Sequence, residues 1–370
     1  MRGECIVMII FVGTRERGFF CEDVASKQDT DCEYVEANIH IDSQVKQIMD
    51  YKEKCEYLVF DIEQYADDAE VIIDWILKIR DAVNCKIIIY AVSYSPQSEL
   101  VSGLYEKGIK NYIFSSYLSD KKEDLELCIN GYFENFGYED KRGISFNAEE
   151  EQSEDEENRK TLTKTIGIAG SIKRMGTTTQ ALQIVKYLLF KGYKAAYYEM
   201  NNHKFVEAVA DAYSDVDKDD IDGVVKYQKV DMYYKADKLK EVQNKDYDFI
   251  VYDFGVYSDH DFNKVSFLEK DIQIFVVGSK PDEFSKTYNV IKNNFYNNVF
   301  YIFNFTSDTE KKDLLELMED KSEYTFFADT AKDPFTFGNP EIYEKMIPLS
   351  SVKEEKVEKR GFFRRRNKNG

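Results

Sequence analysis

Thr165-Ile-Gly-Ile-Ala-Gly-Ser-Ile-Lys-Arg-Met-Gly-Thr-Thr-Thr-Gln-Ala181 is the stretch from which the fold unfolds outward. The small and apolar run Thr165–Ala169 predicts a buried strand, and a turn carrying Gly170 and Gly176 follows. Thr177, Thr178 and Thr179 then predict a helix start, with Thr178–Lys191 as its body. Backbone N–H groups in such a strand–turn–helix point inward, and the helix N-terminus adds partial positive charge. Together they can cradle phosphate oxygens. A hydroxyl in the first helical turn can ligate Mg²⁺. The same residues also read as a plain helix cap with β-branched neighbours.

Beyond this stretch the chain keeps alternating apolar runs with amphipathic ones. Lys194–Tyr198, Asp248–Tyr252, Ile272–Val277, Val299–Phe303 and Tyr324–Phe327 read as strands, and Val206–Gln243 reads as mainly helical and polar. Upstream, Cys5–Val12, Cys32–Ala37, Tyr57–Ile62, Lys86–Val92 and Lys110–Phe114 read as strands. Helices are expected at Ala66–Ala82, Gln97–Lys107 and Lys121–Phe133. In the first, Val71, Ile72, Trp75, Ile76 and Ile79 share one face at helical spacing. Strands alternating with helices imply parallel sheets. The expected fold class is therefore α/β with two doubly wound domains, a flavodoxin-like one followed by one built on the phosphate loop.

Between Glu149 and Glu157 seven of nine residues are acidic, which marks a solvated linker, with an acidic lure for a basic partner as the other reading. The boundaries expected are 1–140, a linker over 141–162, 163–350, and a charged tail over 351–370. The chain has 370 residues and a net charge of −19, which argues against whole-surface attraction to nucleic acid or anionic membrane. Cys5–Val12 is too short for a membrane span and follows an acid, so a cytoplasmic protein is expected. All six cysteines lie within the first 130 residues without metal-ligand spacing. Reduced, mostly buried thiols and no transition metal are expected.

The phosphate-loop stretch resembles the MinD/ParA family of P-loop ATPases, whose loop reads K-G-G-x-G-K-[ST]-[ST]. Aligned on Gly176, Thr177 stands where that family has its phosphate-binding lysine, Thr178 at the Mg²⁺ hydroxyl and Thr179 after it. The family's other lysine falls on Ile172, with Lys173 one place later, and its two glycines are replaced by Lys173 and Arg174. Asp248-Phe-Ile-Val-Tyr-Asp253 resembles the Walker B strand, Glu199 ends the second strand, Asn304 stands where adenine is read, and Asp333-Pro334 resembles the adenine-side loop. The resemblance implies ATP held by Gly170, Lys173, Arg174, Gly176, Thr177, Thr178, Thr179, Asn304 and Pro334. It also implies Mg²⁺ at Thr178 and Asp253, Asp253 as the catalytic carboxylate, and a homodimer. The missing lysine implies weak or absent hydrolysis, which leaves enzyme status open.

In the first half, Tyr57-Leu-Val-Phe-Asp61 resembles the phospho-acceptor strand of receiver domains. Val12-Gly-Thr-Arg-Glu-Arg17 stands where an acidic pair would hold Mg²⁺, and Phe114 leads to Ser115 and Ser116 where a lysine is needed. This resembles a pseudo-receiver. A receiver-like domain ahead of a MinD-like one is similar to the TadZ/CpaE proteins. That resemblance implies a nucleotide-dependent positioning or scaffold role for an envelope-associated pilus, secretion or conjugation machine, whose protein components would be the partners. Two alternatives stand beside it: a partition-type ATPase binding DNA, which the acidic charge disfavours, and a nucleotide-free interaction scaffold. From Arg360 to Lys368 the tail carries Arg360, Phe362, Phe363, Arg364, Arg365, Arg366 and Lys368 and no acid. It reads as a contact for anionic membrane at the inner face, as a nucleic-acid contact, or as a disordered solubilising segment.

Overall fold

The computed structural model describes residues 8–142, 144, 146, 163–292, 299–329, 331, 333–338 and 340–349. These residues form two compact units, each built on its own sheet. Most of the acidic linker and the whole basic tail lie outside the described residues.

The first unit has five parallel strands: β1 (Met8–Val12), β2 (Asp31–Val35), β3 (Tyr57–Asp61), β4 (Lys86–Tyr90) and β5 (Tyr112–Ile113). Their order is β2-β1-β3-β4-β5, so the winding reverses between β1 and β3. Ile9, Ile10, Phe11, Leu58, Val59, Ile87, Ile88 and Ile89 are all buried, as expected of central parallel strands covered on both faces. Helix Ala69–Ala82 buries Ile72, Ile76 and Ile79. Val71, expected on that face, is instead 42% exposed, because the apolar stripe is one residue narrower than the run suggests. Near the end of this unit Tyr105 and Phe146 stack at 3.9 Å, and the Arg142 guanidinium holds Asp124 at 2.6 Å and Glu123 at 2.9 Å.

The second unit has nine strands: β6 (Lys164–Gly170), β7 (Ala195–Glu199), β8 (Asp217–Asp219), β9 (Val224–Tyr227), β10 (Val230–Tyr233), β11 (Phe249–Val256), β12 (Ile272–Val277), β13 (Phe300–Phe303) and β14 (Thr325–Phe327). The order is β14-β13-β12-β6-β11-β7-β10-β9-β8. All neighbours from β14 to β10 run parallel, while β9 and β8 add antiparallel at one edge. The expected strands fall within a few residues of those found.

The span Val206–Gln243 departs from its helical reading. It holds one helix, Phe205–Ala212, then β8, β9 and β10, and a single turn of helix at Leu239–Val242. Val224, Val225, Tyr227, Val230, Met232 and Tyr233 are the buried residues of a hairpin. Its turn residues Gln228 and Lys229 both have positive φ, 48° and 67°, which matches the twist of tight two-residue turns. Neither residue is the glycine or asparagine that would have advertised the turn, so two short strands passed for a polar helix.

Candidate functional site

β6 lies at the middle of the second sheet, between β12 and β11, and delivers the chain to the loop at residues 171–176. The loop is pinned from both sides: the Ser171 N–H donates to Val276 O and the Tyr257 N–H to Gly170 O, each at 2.9 Å. Helix Thr177–Phe190 begins immediately after it. A Cβ on Gly170 would lie 2.3 Å from Thr177 Oγ1, so the strand can end this close to the helix only with glycine there. Gly176 has φ +89°, and a Cβ on it would meet Asn304 Nδ2 at 2.5 Å. Arg174 also has positive φ, 63°, an arrangement that costs a non-glycine residue conformational energy.

Behind the loop stands Asp253, on β11 and fully buried. Its Oδ2 accepts from the Thr178 hydroxyl at 2.6 Å and from the Tyr197 hydroxyl at 2.9 Å, and its Oδ1 accepts from the Gly255 N–H at 2.9 Å. Burial pushes the carboxyl pKa up, and these three donors pull it back. Burial likewise raises Tyr197 well above the ordinary phenol value, so it stays a hydroxyl donor. Thr178 and Asp253, expected together at a Mg²⁺ site, are thus in direct contact. A hard oxygen-ligated cation suits a threonine hydroxyl beside a carboxylate. Tyr197 is the third member, which the sequence reading missed. Its one signal was its place two residues before Glu199, on the same face of β7.

The loop's cations lie outside this network. Lys173 is exposed, with Nζ 3.6 Å from Asp259 Oδ2, a carboxylate that also sits 3.3 Å from His203 Nε2. Arg174 is exposed at the crown. Thr177, at the lysine position of the resemblance, is buried against Gly170, and Thr179, two residues further along the helix, is half-buried. Glu199 caps helix Phe205–Ala212, accepting from the N–H groups of Phe205 at 2.6 Å and Val206 at 3.2 Å.

Asn304, at the end of β13, is held under the loop. Its Nδ2 donates to Met175 O at 2.7 Å and its Oδ1 accepts from Gln180 Nε2 at 3.1 Å. The Tyr343 hydroxyl donates within reach of both Gln180 Oε1, at 2.7 Å, and Gln183 Oε1, at 3.0 Å. This buried polar chain joins the loop to helix Pro340–Met346, and nothing in the spacing of the sequence announced it. Pro334 is half-buried in a turn closed by Asp333, whose Oδ1 accepts from the Phe335 N–H at 2.7 Å. The structure therefore gathers Gly170, Gly176, Thr177, Thr178, Asp253 and Asn304 around one loop, and sends Lys173 to Asp259.

No family model matches the chain, and no curated protein matches it. Among solved structures it is similar to a plasmid partition protein from Borrelia burgdorferi, at 17% identity and a TM-score of 0.36, covering 52% of this chain and 99% of that one. It is also similar to a chain of the MinC:MinD cell division protein complex from Aquifex aeolicus, at 15% identity and a TM-score of 0.38, covering 53% of this chain and 95% of that one. A third is the septum site-determining protein MinD complexed with Mg-ADP from Pyrococcus horikoshii, at 16% identity and a TM-score of 0.34, covering 52% and 96%. The likeness is one of fold.

In the first unit Asp61 ends β3 and is 1% exposed. Arg17 grips it through Nε to Oδ2 at 2.6 Å and Nη2 to Oδ1 at 3.3 Å, and the Glu63 N–H donates to Oδ1 at 3.2 Å. The Arg17 guanidinium also lies 5.4 Å from the centre of the Tyr90 ring. Among the described residues no cluster of three or more His, Cys, Asp or Glu is placed to hold a metal ion, and no helix is long and apolar enough to cross a membrane.

Proposed function

We propose that this chain is a nucleotide-dependent positioning or scaffold protein for an envelope-associated pilus, secretion or conjugation machine, binding ATP with weak or absent hydrolysis. The observation that carries the nucleotide part is the contact of Thr178 with Asp253 directly beneath a glycine-ended loop that opens a helix. Loop N–H groups and the helix N-terminus supply the phosphate cradle, and Thr178 with Asp253 would hold Mg²⁺. The metal would neutralise phosphate charge; orienting the phosphates would fall to Gly170, Gly176 and Thr179. Weak hydrolysis follows from Thr177, whose buried hydroxyl brings no positive charge to β- and γ-phosphates.

The machine-level part rests on the order of the two domains, a pseudo-receiver ahead of a P-loop domain, and on the tail's basic and aromatic residues. In this reading the chain is cytoplasmic and dimeric, and the tail touches anionic lipid weakly for one copy and appreciably for linked copies. Liposome co-sedimentation of the full chain against a version ending at Glu358 tests the tail; equal pelleting of both removes it from the proposal.

A second reading, a scaffold that keeps the fold without nucleotide, is favoured by one observation. Lys173 is engaged by Asp259, away from the cradle. Titration with a fluorescent ATP analogue, with and without Mg²⁺, separates the two. Saturable binding strengthened by Mg²⁺ supports the first, and no binding at millimolar nucleotide supports the second.

A further inference from the structure

Four of the five free cysteines among the described residues stand in two facing pairs. Cys21, on helix Arg15–Lys27, faces Cys32 on β2, and Cys21 is fully buried. The other pair is more open. Cys55 closes the turn before β3, its N–H donating to Tyr51 O at 2.9 Å, and Cys85 immediately precedes β4. β3 and β4 are parallel neighbours with Tyr57 beside Lys86, and the Lys86 N–H donates to Glu56 O at 2.8 Å. The two strand entrances are therefore tied side by side. Cys55 and Cys85 thus stand at neighbouring strand entrances on the amino-terminal edge of the sheet, the end opposite Asp61, and both are only half-buried.

We propose that Cys55 and Cys85 form a redox modification site, in which a hydroperoxide oxidises the two thiols to an intramolecular disulfide. The thiolate of Cys85 attacks one peroxide oxygen, the O–O bond breaks, and the departing hydroxide takes up a proton as water, leaving Cys85 as a sulfenic acid. Cys55 sulfur then attacks Cys85 sulfur, the S–O bond breaks, and hydroxide leaves with the Cys55 proton as a second water. Two thiols and one hydrogen peroxide thus become one disulfide and two waters, the sulfurs together losing the two electrons that the peroxide gains.

The choice of pair rests on placement in the sheet, and the direction of the shifts makes Cys85 the first nucleophile in this proposal. The neighbouring Cys55 thiol holds Cys85 below the ordinary thiol value, while Cys85 and burial push Cys55 up. A disulfide needs its two backbone positions already close, and the paired strands supply that before any oxidant arrives. The Cys21–Cys32 pair has one sulfur sealed in the core, so oxidant reaches it last. This inference is independent of whether the chain binds nucleotide.

The test uses the full-length reduced chain under native conditions, hydrogen peroxide as the probe, and N-ethylmaleimide in denaturant as the quench. Non-reducing peptide mapping by mass spectrometry should find the Cys55 and Cys85 peptides joined, lighter by two hydrogens, and separated again by dithiothreitol. With Cys55→Ser, Cys85 should be trapped by dimedone as sulfenic acid. The thermal unfolding midpoint of the oxidised wild type should rise, because the closed loop restricts the unfolded chain. Recovery of Cys55 and Cys85 as two separate maleimide adducts, after peroxide has already oxidised the chain's methionines, overturns the proposal. So does a disulfide joining either of them to any other cysteine.

Discussion

Lys173 Nζ lies 3.6 Å from Asp259 Oδ2, so a cation carried by the loop at residues 171–176 is engaged by a carboxylate that follows β11. Lys173 is largely exposed and Asp259 half-buried, so the pair is weak. Asp259→Asn releases Lys173, and the affinity for an ATP analogue should rise modestly, by about 2- to 5-fold, as expected for less than about 1 kcal/mol. Calorimetric titration checks this; an unchanged or weakened affinity means that Lys173 does not reach the phosphates even when free.

Thr177→Lys should have a larger effect. Thr177 occupies the buried first helical position, directly against Gly170. A lysine growing from that backbone would bring a permanent charge to the cradle, and a tenfold or greater gain in ATP affinity is expected, about 1.4 kcal/mol. If the fold survives by circular dichroism and affinity does not increase, the loop is not a phosphate cradle.

Removing the hydroxyl of Tyr197 or Thr178 leaves the buried Asp253 with one donor fewer. Tyr197→Phe and Thr178→Ala should each destabilise the second unit by about 1–3 kcal/mol in urea unfolding. Their effects on ligand binding should differ. Thr178→Ala should abolish any Mg²⁺-dependent part of ATP binding, whereas Tyr197→Phe should retain it. Loss of Mg²⁺ dependence in both variants would place the tyrosine, too, in the metal's shell.

Asp61 should not accept a phosphoryl group, because Arg17 already occupies both of its oxygens. Intact-mass analysis after incubation with acetyl phosphate should show no adduct at Asp61. Arg17→Ala should lower stability by about 2–3 kcal/mol, somewhat less than breaking a fully buried pair, since Arg17 is partly exposed. A phosphorylated Asp61 in the wild type would contradict this reading.

Burial raises the Asp124 carboxyl to about 6; Arg142 pulls it down, and Asp120 and Glu123 push it up. A carboxyl whose folded pKa lies above its unfolded one contributes stability that is full below about 3.8 and is lost as pH rises through about 6. The stability of the wild type relative to Asp124→Asn should therefore increase on going from about pH 7 to about pH 4, by at most about 3 kcal/mol. Parallel urea midpoints for the two proteins across that range would show that Asp124 titrates near its ordinary value.

Much of this architecture was legible because it rests on patterns that survive without context. β4 is Lys86-Ile-Ile-Ile-Tyr90, and a run of that kind has few options other than a buried parallel strand. Glycine at positions 170 and 176 and the hydroxyls at 177–179 likewise announced the loop. The hairpin β9–β10 was hidden because Gln228 and Lys229 do in the left-handed region what glycine usually does. The partners of the site residues were hidden for another reason. Asp259 reaches Lys173, Gln180 reaches Asn304 and Tyr343 reaches Gln180 across long stretches of chain, through contacts that only the folded chain creates. A sequence can show that Asn304 is placed near a loop; it cannot show that its amide is already occupied.

One edge strand of the second sheet, β8, reads Asp217-Lys218-Asp219, and all three side chains are exposed. Two copies meeting margin to margin would set carboxylate against carboxylate along a row of free peptide groups, where backbone pairing is otherwise most tempting. That repulsion grows as salt is diluted, so pairing of β8 with a second β8 should weaken further at low ionic strength. Self-association that sets one β8 against another is therefore the arrangement this edge disfavours most.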